Sequence, residues 1–450
     1  MTKQILKSTC TFIAVLFCMN VNAQWSKAAL SEARCFAGAV SANSKVYIAG
    51  GYIDGNVGVM SNRIDIYDWA SGTWTIDSLT SPRGDVSCVH AGNKIFFAGG
   101  TTNGYGNAKE IDVYDINTKM WLTDSLATTQ AGAAPALLGD IILFAGGTSN
   151  TPNGVTKVIS VLDVQNNTWT KDSLTIGRFA MGSGSANGIA VFAGGYTNTS
   201  SYPTTPLVNI YNQSLKKWST ATLSEARGNI SSVTVGDKIY FAGGLKSISS
   251  KALSKRIDIY NTLTGVWSID SLSQARRNVA IAFLGNKIYF AGGEKDFSQN
   301  LMSNRIDILN LTTNTWTQDT LSIGRDALIG ASVKNQILFA GGCSYLNPIN
   351  YDDVDIYTDV SVNIVEYQSE NFQATATALP ASNQLQVNFN RELSVPVNFE
   401  IIDMQGRIST KGFLSNKISL ISVPEMNNGI YFIQLKNHKD NQNLKFVWVK

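Results

Sequence analysis

The stretch Lys238-Ile239-Tyr240-Phe241-Ala242-Gly243-Gly244, followed after a loop by Ile257-Asp258-Ile259-Tyr260-Asn261 and then Trp267, decides the reading of this chain. Its Phe-Ala-Gly-Gly tetrapeptide, with Ile in place of Phe once, recurs seven times. The copies end at Gly51, Gly100, Gly147, Gly195, Gly244, Gly293 and Gly342, in steps of 49, 47, 48, 49, 49 and 49 residues. The apolar runs are short, rich in Ile, Val, Tyr and Phe, and bounded by turn signals such as Val235-Gly236-Asp237-Lys238, which read as strands. No segment carries a 3.6-residue apolar period, so an all-β chain built from one repeated unit is expected.

Working outward, each unit opens on a leucine with an arginine four residues on and closes on a tryptophan. Trp25, Trp74, Trp121, Trp169, Trp218, Trp267 and Trp316 each stand five residues before a leucine, from Leu30 to Leu321. A repeat near 50 residues, with four strands, a Gly-Gly doublet and a following Trp, resembles the kelch motif, whose units are the blades of a β-propeller. Glycine has no Cβ, so the doublet lets the chain turn sharply and approach its neighbours near a crowded axis. Tryptophan supplies the apolar area that seals one blade on the next. The last doublet is followed by Val354-Asp355-Ile356-Tyr357 but by no Trp, whereas Trp25 precedes the first doublet. The resemblance therefore implies seven blades over residues 24–361, with the strand around Trp25 completing the last one and removing the open sheet edges.

Charge is nearly balanced, 36 Lys+Arg against 33 Asp+Glu, with no long basic run, so nucleic acid is not an expected partner. Residues 1–23 read as a secretory signal peptide: Lys3 and Lys7, the apolar stretch Phe12 to Met19, and Val21-Asn22-Ala23 before a cut at Gln24. No other segment is long and apolar enough for a transmembrane helix. Cys10 and Cys18 leave with the signal peptide; Cys35, Cys88 and Cys343 remain, so at most one disulfide can form within the chain, and scattered buried thiols are expected.

Composition shifts after Tyr357. Residues 362–378 read as a linker, and a second set of alternating strands follows over 379–450, a small C-terminal β-sandwich. This segment resembles the type A C-terminal sorting domain of the type IX secretion system of Bacteroidetes. The residues that carry the likeness include Asp403, Gly406, Gly429, Tyr431, Lys445 and Lys450, within Phe399-Glu400-Ile401-Ile402-Asp403-Met404-Gln405-Gly406-Arg407, Asn428-Gly429-Ile430-Tyr431-Phe432 and the terminal Lys445 to Lys450. Leu379-Pro380-Ala381-Ser382-Asn383 departs from the family's usual Tyr-Pro-Asn-Pro element. The likeness implies export by Sec and then across the outer membrane by the type IX machinery, with the protein secreted or attached to the cell surface.

Strands alternate in direction within a blade, so the loop after each doublet emerges on the same face as the segment leading into the next inner strand. The post-doublet loops differ in every blade and hold Tyr52, Tyr105, Tyr196, Tyr202, Phe297, Tyr345 and Tyr351 among Asn, Ser, Thr and Gly, a composition suited to protein or sugar faces. The same face is expected to carry Arg34, Arg83, Arg178, Arg227, Arg276 and Arg325, with Gln130 in the third blade. Such a ring reads either as scaffold or as an anion site at the axial mouth. Asp-Ser-Leu or Asp-Thr-Leu recurs around Ser78, Ser125, Ser173, Ser271 and Thr320, similar to the short O-glycosylation acceptor of Bacteroidetes.

Some kelch propellers are copper radical oxidases that need two histidines. Only His90 and His438 occur here, the latter in the sorting segment, and His90 reads as a core residue. No zinc spacing, phosphate loop or EF-hand pattern appears, so no catalytic residue, metal or cofactor is assigned. The expected function is a non-catalytic protein- or glycan-binding propeller. The alternative is a mutarotase-like or lyase-like enzyme on an acidic sugar, using Arg227 or Arg276 to hold a carboxylate and Glu225 as acid/base.

Overall fold

The structure is a computed structural model. It describes residues 24–359, apart from 54–57 and 347, and residues 374–449, apart from 391, 392, 394, 395, 405, 406, 424, 425 and 437–440. The expected signal peptide, most of the expected linker, Gly406, Lys450 and His438 lie outside the described residues. The chain divides into two compact units between Val360 and Ser361.

The first unit contains seven four-stranded antiparallel sheets. In the fifth, Ser231–Val235 pairs with Lys238–Ala242, which pairs with Arg256–Asn261, which pairs with Trp267–Ser271. The innermost strands contact one another in sequence, from Gly38–Ala42 around to Ile329–Val333 and back, so the sheets form a closed ring of blades. The second strand of each sheet is apolar on both faces because each face meets a different neighbour. Ile239 and Phe241 pack with Val191 and Val208 of the preceding blade, whereas Tyr240 packs with Ile288 and Phe290 of the following one. A strict apolar–polar alternation is therefore absent from the repeat.

The doublets hold the ring together. Gly243 and Gly244 have φ of 63° and 116°, and a Cβ would lie 2.4 Å from Arg276 O and 2.7 Å from Gly228 O, so no other residue fits. The second glycine of every doublet donates its N–H to a carbonyl of the next blade. Gly51 donates to Arg83, Gly100 to Gln130, Gly147 to Arg178, Gly195 to Arg227, Gly244 to Arg276 and Gly293 to Arg325, and Gly342 closes the circle on Arg34 at 2.9 Å.

The closure expected from the count of tryptophans is present. Gln24–Ala29 is the outer strand of the last blade, pairing along Asp353–Thr358 with Trp25 opposite Tyr357. Trp25 Nε1 donates to Asp319 of the preceding blade at 2.8 Å. Four further tryptophans make the same bond: Trp121 to Asp77, Trp169 to Asp124, Trp218 to Asp172 and Trp316 to Asp270, at 2.8–3.1 Å. Each of these five aspartates also accepts the N–H of the Ser or Thr that follows it. The recurrent Asp-Ser dipeptide thus has a scaffold role. Ser78, Ser125, Ser173 and Thr320 are exposed and Ser271 is half-buried.

The second unit packs a three-stranded sheet (Ala374–Leu379, Gln384–Phe389, Ile418–Ser422) and a four-stranded sheet (Ile408–Leu414, Val397–Asp403, Gly429–Lys436, Asn441–Trp448) around one core that includes Leu385, Val387, Ile401, Ile433 and Trp448. Asp403 caps the turn between two of these strands by accepting both the N–H and the Nε–H of Arg407. Gly429 opens the strand on which buried Tyr431 stacks on Phe446, and Lys445 points to solvent.

Candidate functional site

The post-doublet loops and the segments entering the inner strands meet on one face, as expected, and enclose a cleft of about 940 Å³. The pairing that fixes this is local. The residue after each doublet bridges the residue after each arginine: Cys35 with Tyr52, Phe179 with Tyr196, Arg277 with Glu294 and Asp326 with Cys343. Six of the seven aromatics expected on this face line the cleft: Tyr52, Tyr105, Tyr196, Tyr202, Phe297 and Tyr345. Tyr351 does not; its backbone binds Arg34 and Gly342 at the junction of the first and last blades.

The arginines do not form the expected mouth. Arg34, Arg83, Arg178, Arg227, Arg276 and Arg325 are each 0% exposed, sealed inside their blades. Burial costs a guanidinium its hydration, so protein oxygens replace it at the terminal nitrogens, while the Nε of all six is buried without an acceptor. Arg227 Nη1 donates to Gly243 O at 2.6 Å and Arg256 O at 2.7 Å, and Nη2 donates to Phe241 O and to the Asp258 carboxylate. Equivalent carboxylates are Asp65, Asp112, Asp307 and Asp355. Arg178 uses Asn209 Oδ1 (2.5 Å), and Gln130 replaces the cation in a neutral version with Ser160. Burial pulls Arg178 down to about 10, and it alone of the six has no carboxylate to oppose this. An anion cannot reach these groups, so the ring is scaffold. The carboxylates of Glu32 and Glu225 accept hydrogen bonds from the hydroxyls of Ser61 and Ser254.

A second ring escaped the sequence reading. Two residues after each arginine or Gln130 stand Phe36, Asp85, Gly132, Ala180, Asn229, Asn278 and Ala327, all left-handed with φ of 49–58°. For Phe and Ala that conformation costs roughly 1–2 kcal/mol each, and neighbouring blades hold it. Phe36 N–H donates to Ala327 O, Asp85 N–H to Phe36 O, and Gly132 N–H to Asp85 O. All but Ala327 line the cleft. The sequence signal was there: the repeats agree at the arginine and disagree two positions later.

These positions carry the cleft's polar chemistry. Tyr52 Oη donates to Asp85 Oδ2 at 2.8 Å, and Thr101 Oγ1 donates to the same oxygen. Desolvation nonetheless pushes the Asp85 carboxyl up. Tyr196 Oη donates to Asn229 Oδ1 at 2.6 Å, and burial pushes its hydroxyl up to about 12. Arg277 is the one guanidinium among the described residues of the lining. Its Nε donates to Glu294 at 2.6 Å, and its carbon lies 4.2 Å from the Phe297 ring centre. Burial works against this cation, but Asp326 and Glu294 overcome it and raise its pKa. Phe179, Tyr196 and Tyr202 form an aromatic wall with centroids 5.2–5.9 Å apart. Tyr202 and Tyr105 are the most exposed of the lining aromatics, at 39% and 56%.

The Kelch motif family matches residues 33–76 and 226–269, and the secretion system C-terminal sorting domain family matches residues 379–450. The chain carries kelch repeats and a secretion sorting domain. These matches support a secreted kelch propeller, and a sorting domain of this kind implies interaction with the type IX secretion machinery. No curated protein sequence matches it. Among solved structures, a fungal alcohol oxidase of the AA5 family in complex with copper is similar at TM-score 0.60 and 15% identity, covering 95% of this chain and 100% of that one. At that identity the likeness is one of fold.

Among the described residues no group of three or more His, Cys, Asp or Glu is placed to hold a metal ion. His90, expected in the core, is half-exposed on the inner strand Ser87–Ala91, with Nε2 3.0 Å from Gly92 O and no place in the cleft lining.

Proposed function

We propose that the cleft is a non-catalytic binding site of an exported, surface-attached or released propeller, and that it takes the uncharged faces of sugar rings on a glycan or glycosylated protein. The observation that carries this is the lining itself: aromatic rings in fixed orientations alternate with side-chain amides of Asn107, Asn150, Asn229, Asn278 and Asn300. An aromatic face covers the C–H side of a pyranose while amides satisfy its hydroxyls, a pairing of apolar area with hydrogen-bond specificity common to ligand pockets.

Charge supports an uncharged ligand over an acidic one. Arg277 is committed to Glu294 and also feels Asp326, and the lining adds the carboxyl of Asp85. An acidic-sugar enzyme would need Arg227 or Arg276 to grip a carboxylate, and both are buried with their terminal nitrogens occupied. Nothing in the cleft favours that second reading.

The test is a glycan array and titration calorimetry with the mature chain. Saturable binding to neutral oligosaccharides should weaken about tenfold, near 1.4 kcal/mol, in Tyr202→Ala and in Tyr105→Ala. Binding confined to sialylated or uronic-acid glycans, or unaffected by both changes, overturns the proposal. Turnover of an acidic sugar would favour the enzyme instead.

A further inference from the structure

We infer that Cys35 and Cys343 form a disulfide that locks the junction between the first and last blades. Cys35 is bracketed by two inter-blade backbone bonds: Gly342 N–H donates to Arg34 O at 2.9 Å, and Phe36 N–H donates to Ala327 O at 3.0 Å. Cys343 is the neighbour of Gly342 and bridges Asp326, the neighbour of Ala327. The two cysteines are therefore held side by side from both flanks. Their side chains share a cluster with Tyr52, Met60 and Ala327, each cysteine is a free thiol only 1% exposed, and the nearby Cys343 thiol together with burial pushes the Cys35 thiol up.

Closeness of this kind is what bridging requires, because cysteines whose Cα atoms stand far apart cannot be joined without moving the backbone. Cys88 shows the contrast. It lies on the inner strand of another blade, and its thiol donates to Val86 O at 3.7 Å. A disulfide suits the export route that the sorting domain marks, since such bonds persist outside the cytoplasm.

The chemistry balances with one disulfide oxidant. A thiolate of one cysteine attacks the oxidant's S–S bond, and the other thiolate resolves the mixed disulfide. The pair loses two electrons and two protons, and the oxidant leaves as two thiols. The covalent loop from residue 35 to residue 343 contains all seven Gly-Gly doublets, so the bond acts where ring opening would begin. Once formed it is shielded from reductants by its own burial.

The full chain is recovered from culture medium, or the reduced protein is incubated with glutathione disulfide, and free thiols are alkylated before proteolysis without reductant. The expected result is one cross-linked peptide pair joining Cys35 to Cys343, with Cys88 alkylated. Cys88→Ser keeps the cross-link, and Cys35→Ser releases a second alkylatable thiol. Reductant lowers the melting midpoint of the parent protein by about 5 °C or more and leaves a Cys35→Ser/Cys343→Ser variant unmoved. Alkylation of all three cysteines in a protein that still melts cooperatively, or a cross-link involving Cys88, overturns the inference.

Discussion

Replacing Asp258 by alanine tests whether the arginine ring is scaffold. The change strands Arg227, whose remaining partners are the carbonyl oxygens of Gly243, Arg256 and Phe241. Removing one partner of a buried ion pair costs about 3–5 kcal/mol, because the survivor keeps its desolvation penalty. Asp258→Ala also orphans the Ser224 N–H, which donates to Asp258 Oδ1 at 2.9 Å. The chain supplies its own milder series. Arg178 with Asn209 shows that an amide can accept the same bond, so Asp258→Asn should cost about 1–2 kcal/mol, the scale of a charge-assisted hydrogen bond. Gln130 with Ser160 shows a neutral pair, in which Ser160 Oγ donates to Gln130 Oε1 and accepts from Ala127 N–H. Arg227→Gln alone leaves Asp258 buried and unpaired. Adding Asp258→Ser should restore about 1 kcal/mol or more through the coupling between neighbours. Urea unfolding followed by tryptophan fluorescence gives the four values. An Asp258→Ala value within about 1 kcal/mol of the parent protein, or a double variant no more stable than Arg227→Gln, would refute the scaffold role.

Three other outcomes follow from the same geometry. Burial pushes the Glu294 carboxyl up to about 7 from 4.5. The native state then holds a proton that the unfolded chain releases, and stability should fall as pH rises from about 4.5 to about 7; Glu294→Gln should flatten that slope, and identical slopes for both proteins would refute the assignment. Asp124→Ala leaves Trp169 Nε1 without its acceptor and should cost about 1 kcal/mol in a denaturation midpoint, whereas Ser125→Ala should be neutral to stability yet remove any O-glycan mass carried there; an exported protein of unmodified mass sinks the glycosylation reading at all five sites. Deleting residues 370–450 should leave the thermal unfolding of the propeller unchanged and stop its appearance outside the outer membrane, and continued export would contradict the sorting role.

The sequence disclosed the scaffold because the scaffold is periodic. Gly243-Gly244, Trp267 and the Leu223/Arg227 spacing answer constraints that recur around the ring: a left-handed turn against a neighbouring carbonyl, a plate sealing one sheet on the next, a buried polar side chain held by protein oxygens. Even the missing tryptophan after the last doublet was readable, since a closed ring leaves only the strand at Trp25 to fill the place. What periodicity could not say was which recurring residues face water. Arg227 looked equally suited to an axial mouth, and only its three carbonyl partners and Asp258 turn it inward.

The cleft was half legible for the complementary reason. Its outer wall, Tyr105, Tyr202 and Phe297, lies in loops whose disagreement between blades marked them as free of scaffold duty. Its floor sits one step from the most regular residue of the repeat, and there the constraint acts on backbone alone. A left-handed φ is demanded at Phe36, Asp85, Gly132, Ala180, Asn229, Asn278 and Ala327, and inter-blade backbone bonds link all of these except Ala180, but no particular side chain is required. The ring thus offers seven positions fixed in space and open in chemistry. Here they are filled by one ring, one carboxylate, two amides and three small residues, with Phe36 and Asp85 adjacent and the two amides together across the mouth. That asymmetry, imposed on a nearly symmetric frame, is what would let one propeller tell one sugar face from another.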